Sequence, residues 1–166
     1  IVADLMECRF VKCSVIDDVL GSEFCAVMKN ITAIACGIAH GMGYGDNFQS
    51  VLVCNALDEI KKFLFKVNDK DRNYSSSAYL GDILVTSYSH FSRNRTFGNM
   101  IGRGYSVKAT QMEMNMVAEG YYAVKSIIKL KRKHEVEMPI TEAVYRILYE
   151  KMTPRLEFAL LANLLK

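Results

Sequence analysis

The sequence lacks several patterns that would indicate a class of protein directly. No Cys-x-x-Cys occurs among the five cysteines, and the three histidines lack metal-binding spacing, so we predict no metal site. No alternation of apolar and polar residues is long enough for a β-sheet core. There is also no internal repeat and no low-complexity tract. These absences argue against a zinc module, a β-rich fold and a disulfide-stapled domain.

The sequence also has little that indicates a membrane or a secretory route. We expect no signal peptide, because charged residues interrupt the first ten positions, and the most apolar run, residues 31–39, is far too short to span a bilayer. The cysteine count is odd, and Cys25 and Cys36 lie among apolar residues, where a free thiol behaves as a small hydrophobe. We therefore expect a reducing, cytoplasmic location. Because Ile1 is not an initiator Met, we interpret the sequence as part of a longer chain.

The composition is that of one ordinary globular domain. Of the 166 residues, 51% are hydrophobic and 23% are charged, which suits a single core over residues 1–166. The net charge of +3 is too small to indicate a nucleic-acid partner. It is compatible with a small anionic ligand.

The spacing of apolar residues predicts an all-α fold of roughly seven or eight helices. Residues 68–77 are polar and predict a surface loop, and residues 90–94 predict a turn. Gly41, Gly43 and Gly45 predict the end of a helix rather than a dinucleotide-binding loop, because a helix and not a strand precedes them. Helices are predicted at residues 19–39, 47–65, 78–87 (with a strand as the alternative), 95–102, 117–133, 139–150 and from 154 onward.

Lys29 is the first residue that suggests chemistry. It stands with Asn30 in an apolar helix, AVMKNITAIA, where an unpaired charge would be costly. One interpretation is an active-site lysine that faces a cleft and transfers a proton near neutral pH. The other is a lysine whose ammonium group reaches solvent past the apolar face. The residues alone leave both open.

Asp82 and the segment SRNR at residues 92–95 raise similar questions. Asp82 is either the partner of Lys29 or, as the commoner case, a helix N-cap. The SRNR segment precedes a helix, and arginine binds phosphate through two parallel hydrogen bonds. It is therefore either a phosphate site or a solvated basic turn.

Taken together, these motifs resemble the C-terminal half of NAD(P)-dependent glycerol-3-phosphate dehydrogenases, in particular the bacterial type. The resemblance covers nearly the whole chain in order. It is carried by residues 18–23 (DVLGSE), 28–35 (MKNITAIA), 41–47 (GMGYGDN), 81–82 with 86 (GD…T), 92–95 with 97–98 (SRNR…FG), 119–120 (EG), 137–140 (EMPI) and 143–145 (AVY).

The resemblance implies an all-α, multi-helix domain like the C-terminal domain of 6-phosphogluconate-dehydrogenase-like enzymes. In this family an N-terminal Rossmann domain comes first, and that domain is absent from this sequence. The family interconverts dihydroxyacetone phosphate and sn-glycerol 3-phosphate with NAD(H) or NADP(H). The expected partners are thus the substrate, the Rossmann domain of the same chain and a second copy in a homodimer, with no nucleic acid and no membrane span.

The resemblance also assigns catalytic roles. Lys29 matches the family's acid/base, which protonates the alkoxide as hydride reaches the carbonyl carbon and removes that proton in reverse. Asn30 is expected to support the same network. Asp82 is expected to hold and tune Lys29, with Thr86 nearby.

Binding roles follow from the same resemblance. Ser92, Arg93 and Asn94 are expected to grip the substrate phosphate, which orients the reacting carbon. Lys29 and Asp82 would contact the substrate as well. The positions that approach the nucleotide are Arg93, Val117 and Glu119.

The sequence departs from the family at two places. The usual Thr-Lys-Ala-Ala becomes FQSV at residues 48–51, and the usual Thr-Arg-Gly becomes CNA at residues 54–56, so a positive charge is lost at each. We expect these changes to affect local packing and to leave Lys29 and Arg93 intact.

Two competing hypotheses remain at this level. An enzyme requires Lys29, Asp82 and Arg93 to converge on one cleft. A non-catalytic helical dimerisation or interaction module has no such requirement, so these side chains could lie far apart or under a partner surface. A related dehydrogenase for another hydroxy acid is disfavoured by the phosphate-type SRNR segment. The choice between NAD and NADP depends on the absent domain.

Overall fold

The computed structural model describes residues 1–114 and 116–166, and over these residues it is helical without any strand, as predicted. A π-helical turn, Ser77–Gly81, runs directly into α4. The α-helices are α1 (Val2–Met6), α2 (Val19–Gly41), α3 (Asp46–Val67), α4 (Asp82–Tyr88), α5 (Arg93–Gly102), α6 (Val107–Glu113), α7 (Glu119–His134), α8 (Pro139–Tyr149) and α9 (Pro154–Ala162).

The longer helices confirm the predicted ones to within a few residues. The region predicted at 78–87 as a helix or strand is helical, formed by the π turn and α4. The predicted count of seven or eight was too low, because α1 and α6 were not foreseen. They have five and seven residues, and so short a segment shows too little of the 3.6-residue apolar period to be recognised.

Local signals explain where several helices begin and end. The Asp18 carboxylate caps α2 by accepting a hydrogen bond from the Gly21 N–H at 3.2 Å. The Ser92 hydroxyl caps α5 by accepting from the Arg95 N–H at 3.3 Å. Beyond the end of α2, Gly43 adopts a φ of +89°, which glycine tolerates best. The predicted helix stop at Gly41 is therefore confirmed.

Helix α2 runs through the centre of the fold. From Thr32 to Ala39 every residue is buried, and α2 packs against α3, α4, α5 and α7. Its most apolar 18-residue window has a mean hydropathy of 1.3, so by length and composition it could span a membrane, contrary to the short run expected from the sequence. Half of that window is buried inside the protein. The absence of a membrane span remains a prediction.

Glycines bring α2 and α5 into direct backbone contact. A Cβ added at Gly98 on α5 would overlap the carbonyl oxygen of Ile34, and one added at Gly37 on α2 would overlap the carbonyl oxygen of Arg95. Without side chains at these points, the two helix backbones touch. This contact fixes the start of α5, and with it the SRNR segment, against the helix that carries Lys29.

A buried carboxylate joins α3 to α8. Glu59 is 5% exposed and accepts hydrogen bonds from the N–H groups of Ile140 and Thr141 and from the Thr141 hydroxyl at 2.9 Å. These donors lie at the N-terminus of α8, where the helix dipole favours negative charge. Burial nevertheless dominates and raises the pKa of Glu59 to about 7.

The predicted surface loop before the π turn is only partly at the surface. Arg72 in its middle is 9% exposed and is held by Asp18 at the start of α2. The polar composition of this segment gave no indication that one arginine would be buried by an ion pair.

We expect Gly98→Ala to lower the free energy of unfolding by about 1–3 kcal/mol, because the new methyl group would force α5 away from α2. The matched control is Gly81→Ala, where the nearest atom is Ser77 Cβ at 3.5 Å. Its effect should stay within about 0.5 kcal/mol or be stabilising. Chemical unfolding of the two variants measures the difference, and equal stabilities would contradict the close helix contact.

The raised pKa of Glu59 predicts how stability changes with pH. The folded chain holds this proton more tightly than the unfolded chain, whose glutamate has a pKa of 4.5. The stabilisation is therefore complete below that value and is lost as the pH rises through about 7. Unfolding curves from about pH 5 to about pH 8 should show this fall, and Glu59→Gln should remove it. If the free energy of unfolding changed with pH in the same way in the wild type and in Glu59→Gln, the raised pKa of Glu59 would be refuted.

Candidate active site

A cleft of about 500 Å³ opens where α2, α4, α5 and the start of α7 meet. It contains most of the residues that the sequence singled out. Its lining residues are Ala26, Lys29, Asn30, Val85, Thr86, Ser89, Phe91, Ser92, Arg93, Asn94 and Glu119.

Lys29 and Asp82 form an ion pair at this cleft. The Lys29 Nζ donates to Asp82 Oδ1 at 2.6 Å, and their side chains are 22% and 35% exposed. The predicted contact is therefore observed, and Lys29 is a paired lysine that faces an open cleft. The interpretation of Asp82 as a helix cap was wrong, since Gly81 is the N-cap of α4 and no side chain caps it.

Asn30 and Thr86 line the cleft beside this pair. Asn30 follows Lys29 on α2, and Thr86 lies one helical turn after Asp82 on α4. The Thr86 hydroxyl donates to the Asp82 carbonyl oxygen at 2.7 Å. Its oxygen can still accept a hydrogen bond from a bound molecule.

Ser92 and Arg93 form another part of the cleft wall, at the N-terminus of α5. The Ser92 hydroxyl is occupied as the helix cap. Arg93 is exposed, and its nearest polar contact is a weak one from Nη1 to the Met116 sulfur at 3.8 Å. Within residues 1–114 and 116–166 no carboxylate lies at ion-pair distance from Arg93. Its guanidinium is thus available to an anionic ligand.

Asn94 has a structural contact as well as a place in the cleft. It is 8% exposed, and its Oδ1 accepts from the Gly120 N–H at 2.9 Å. This bond ties α5 to the first turn of α7. One acceptor site of the amide oxygen is therefore used, and the amide NH₂ group is the part of Asn94 that can donate to an anionic ligand.

The two remaining predicted nucleotide contacts lie in different places. Glu119, the first residue of α7, lines the cleft and is exposed. Val117 does not line it; this residue is 57% exposed and borders a separate cavity of about 330 Å³ with Phe97, Tyr121 and Tyr122.

Cys25 lies close to the ion pair without sharing its chemistry. It is fully buried, and this burial, with a smaller contribution from the Asp82 charge, raises the pKa of its thiol to about 12. The thiol therefore stays neutral near pH 7, and it acts as apolar packing behind the pair rather than as a nucleophile.

The sequence did not point to four of the lining residues, and Phe91 is the most unusual of them. It is 96% exposed in the loop before α5. A large apolar side chain left in solvent at the edge of a cleft is a common feature of contact surfaces. Only its apolar character within a polar turn could have indicated it. The other three are Ala26, Val85 and Ser89.

The segments that depart from the family lie outside the cleft. Phe48 packs on Tyr44 with ring centroids 4.2 Å apart. Cys54 is exposed, and Asn55 exchanges hydrogen bonds with Lys166 at 3.0 and 3.1 Å, which ties the last residue of the chain to α3. The lost positive charges thus affect packing on α3 and leave the cleft residues unchanged.

Residues 18–158 match the family described as the C-terminus of NAD-dependent glycerol-3-phosphate dehydrogenase. The chain belongs to this family. The resemblance recognised in the sequence is thereby confirmed. The match begins at Asp18, the cap of α2, and ends within α9.

Curated relatives agree with this assignment of the glycerol-3-phosphate dehydrogenase family. The chain is 44% identical over 137 residues to a glycerol-3-phosphate dehydrogenase [NAD(P)+] of Salinibacter ruber, covering 82% of the chain and 40% of the relative. It is 40% identical over 144 residues to one of Francisella tularensis subsp. novicida, covering 87% and 43%. The chain thus spans about two fifths of the length of these relatives.

Solved structures show the same helical domain. The glycerol-3-phosphate dehydrogenase of Coxiella burnetii superposes with a TM-score of 0.91 at 32% identity, covering 97% of this chain and 50% of that one. The enzyme of Plasmodium falciparum gives 0.83 at 17% identity, with 95% and 46% covered, and shows likeness of fold alone.

The buried bond of Asn94 can be separated from ligand binding by its effect on stability. Asn94→Ala leaves the Gly120 N–H buried without an acceptor, and we expect this to lower the free energy of unfolding by about 1–3 kcal/mol. The neighbouring control, Arg93→Ala, removes an exposed side chain and should change it by less than about 0.5 kcal/mol. Denaturant unfolding measures both, and an Asn94→Ala variant as stable as the control would contradict the structural role.

Proposed function

We propose that this chain is the substrate-binding and catalytic half of an enzyme that interconverts dihydroxyacetone phosphate and sn-glycerol 3-phosphate with NAD(H) or NADP(H). The observation that carries the proposal is the Lys29–Asp82 ion pair, whose lysine lines the same cleft as Arg93, an arginine without a carboxylate partner among residues 1–114 and 116–166. A proton donor and a phosphate-binding group are what a phosphorylated ketone requires. The names of the relatives support this substrate and this coenzyme.

In the proposed reaction Lys29 moves the proton. The carbonyl oxygen of the substrate accepts a hydrogen bond from the Lys29 ammonium group. As hydride adds to the carbonyl carbon, the proton passes to the developing alkoxide, which yields the alcohol and leaves a neutral amine. In the opposite direction the amine takes the proton back. Asp82 holds the Lys29 Nζ in place through the 2.6 Å bond.

Phosphate binding places the carbonyl carbon for this step. Arg93 presents a planar guanidinium that can form two parallel hydrogen bonds to a phosphate. Ser92 and the amide NH₂ group of Asn94 lie beside it on the cleft wall. Binding energy from the phosphate, remote from the reacting carbon, thus orients the substrate.

The bound nicotinamide coenzyme would supply the hydride. The residues of this chain that fit it lie on the cleft wall: Arg93 can pair with a coenzyme phosphate, and exposed Glu119 can accept from a hydroxyl or amide. Val117, in the neighbouring cavity, is the third proposed contact. The remaining part of the nucleotide site belongs to a Rossmann domain outside this sequence.

The alternative, a helical interaction module, does not require these groups to meet. Lys29 and Arg93, from two different helices, line one cleft, and Asp82 from a third helix pairs with Lys29 without lining the cleft itself; this arrangement favours the enzyme. We further propose that the complete protein is a cytoplasmic homodimer whose Rossmann domain covers this cleft. No nucleic acid or membrane takes part in the proposed function.

The test uses the full-length protein, with its N-terminal half, and follows NADH oxidation in the presence of dihydroxyacetone phosphate. We expect Lys29→Met to lower kcat by about 10²–10⁴-fold, the usual contribution of a positioned proton donor. Lys61→Met is the matched control, because Lys61 also pairs with an aspartate, Asp58 at 3.1 Å, but lies outside the cleft. It should retain normal activity.

The possible outcomes distinguish the acid/base role of Lys29 from the proposed reaction itself. A folded wild-type protein without activity on this substrate would refute the proposed reaction and favour the interaction module. Activity that survives Lys29→Met would keep the reaction but exclude Lys29 as the acid/base.

A further inference from the structure

A second, more deeply buried ion pair lies at the start of α2, away from the cleft. The Asp18 carboxylate accepts from the Arg72 Nε at 2.6 Å, from the Arg72 Nη2 at 3.3 Å, from the Tyr79 hydroxyl and from the Gly21 N–H. Asp18, Arg72 and Tyr79, here called the Asp18 cluster, are 8%, 9% and 3% exposed. Neither the residue types nor their spacing indicated this cluster in the sequence.

The cluster connects the two segments that carry the cleft ion pair. Asp18 is the N-cap of α2, and Lys29 lies on the same continuous helix, about 16 Å further along at 1.5 Å per residue. Tyr79 lies in the π turn, three residues before Asp82, and this turn continues into α4 without a break. The Asp18–Tyr79 hydrogen bond therefore links the helix that bears Lys29 to the segment that bears Asp82.

Arg72, which holds Asp18 in this link, is itself fixed by further hydrogen bonds. The Arg72 guanidinium also donates to the Asn68 carbonyl oxygen at 2.7 Å, to the Asn68 side chain at 2.6 Å and to the Lys70 carbonyl oxygen at 3.2 Å. A planar group bound on several sides has little freedom to move. The cluster thus joins the loop before the π turn to α2 as well.

Gly21 provides the space in which the cluster sits. A Cβ added there would lie 2.7 Å from the Arg72 Nε and 2.7 Å from the Tyr79 oxygen, and it would overlap Asp18. The cluster therefore packs directly on the backbone of the first turn of α2. A side chain at this position would push the three groups away from the helix.

Near neutral pH, Asp18 is charged and Tyr79 is protonated, so the hydrogen bond between them persists. The hydrogen bonds from Arg72 hold the pKa of Asp18 at about 2, so this carboxylate is charged near neutral pH. Burial, followed by the bond to Asp18, raises the pKa of Tyr79 to about 12, so its hydroxyl keeps its proton and donates. The hydrogen bond is therefore charge-assisted, which is the stronger kind.

Helix α4 has few other polar contacts with its neighbours. It has seven residues, lacks a side-chain cap and buries only Ile83 and Ser87. Its side chains reach other helices through the Lys29–Asp82 pair and a Ser50–Tyr88 hydrogen bond at 3.1 Å. A hydrogen bond is directional, so the Asp18–Tyr79 bond, three residues before Asp82, adds a fixed distance and direction to the packing of this segment on α2.

We propose that Tyr79, held by Asp18 and Arg72, is a positioning residue that places the Asp82 carboxylate against Lys29. It touches neither substrate nor coenzyme and acts through Asp82. This inference rests on the proposed function, since its consequence is the rate of proton transfer by Lys29.

The experiment compares Tyr79→Phe and Tyr149→Phe in the full-length protein. Each variant loses one hydroxyl, and Tyr149 donates its own to the Tyr121 carbonyl oxygen at 2.7 Å without lining the cleft. We expect Tm to fall in both. We expect kcat with dihydroxyacetone phosphate to fall by about tenfold in Tyr79→Phe alone, because sub-ångström misplacement of a catalytic group is costly. KM for the substrate should remain unchanged, since Arg93 and Ser92 are not moved.

A wild-type kcat in folded Tyr79→Phe would overturn the positioning role, as would an equal loss of kcat in both variants. Should Tyr79→Phe not fold, Arg72→Lys provides a second test of the cluster, because lysine keeps a positive charge beside Asp18 but loses the planar fork that holds it in place. A tenfold lower kcat supports the inference, and full kcat overturns it. An inactive wild-type protein would refute the proposed function and this inference together, whereas an active one with unaffected variants refutes only the inference.

Discussion

The contact between the backbones of α2 and α5 is the constraint on which the rest of the structure depends. Gly37 and Gly98 leave no side chain between the two helices, so each backbone rests on the other. Because protein interiors are close-packed and resist small shifts, this contact fixes the distance between Lys29 on α2 and Arg93 on α5. The cleft is therefore bounded by two helices whose separation cannot adapt to a ligand.

Two ion pairs at different depths have different roles, one in holding the fold together and one beside the cleft. The Asp18–Arg72 pair is buried, bonded on several sides and structural. The Lys29–Asp82 pair is partly exposed and borders the cleft, where a ligand can reach the Lys29 ammonium group. A third cation, Arg93, has no carboxylate partner in the described part of the chain. Glu119 on the same wall is not at ion-pair distance from Arg93, so the Arg93 guanidinium remains a charged group that a phosphate can bind.

Much of the fold followed from the sequence because its signals are local. The apolar period of α2 and α7 and the glycine after α2 each act within one or two helical turns. Short helices such as α6 were not predicted, since seven residues show too little of the 3.6-residue apolar period. For the site, the unusual Lys29 in an apolar helix was visible, but its residues alone left open whether Asp82 was its partner, and only the family resemblance assigned Asp82 to it. Asp82 at a helix start looks like a cap until a second helix is placed beside it.

The sequence by itself thus determined that the chain is helical, where its longer helices lie and which family it resembles. These properties depend on residue order and on neighbours three or four positions apart. Only the tertiary structure decided which charges meet, because Lys29 and Asp82 are 53 positions apart, Asp18 and Arg72 are 54 apart, and no local pattern records either contact. A buried Arg72 and an exposed arginine have the same sequence signature. Long-range packing alone assigns one to the core and leaves Arg93 at the cleft.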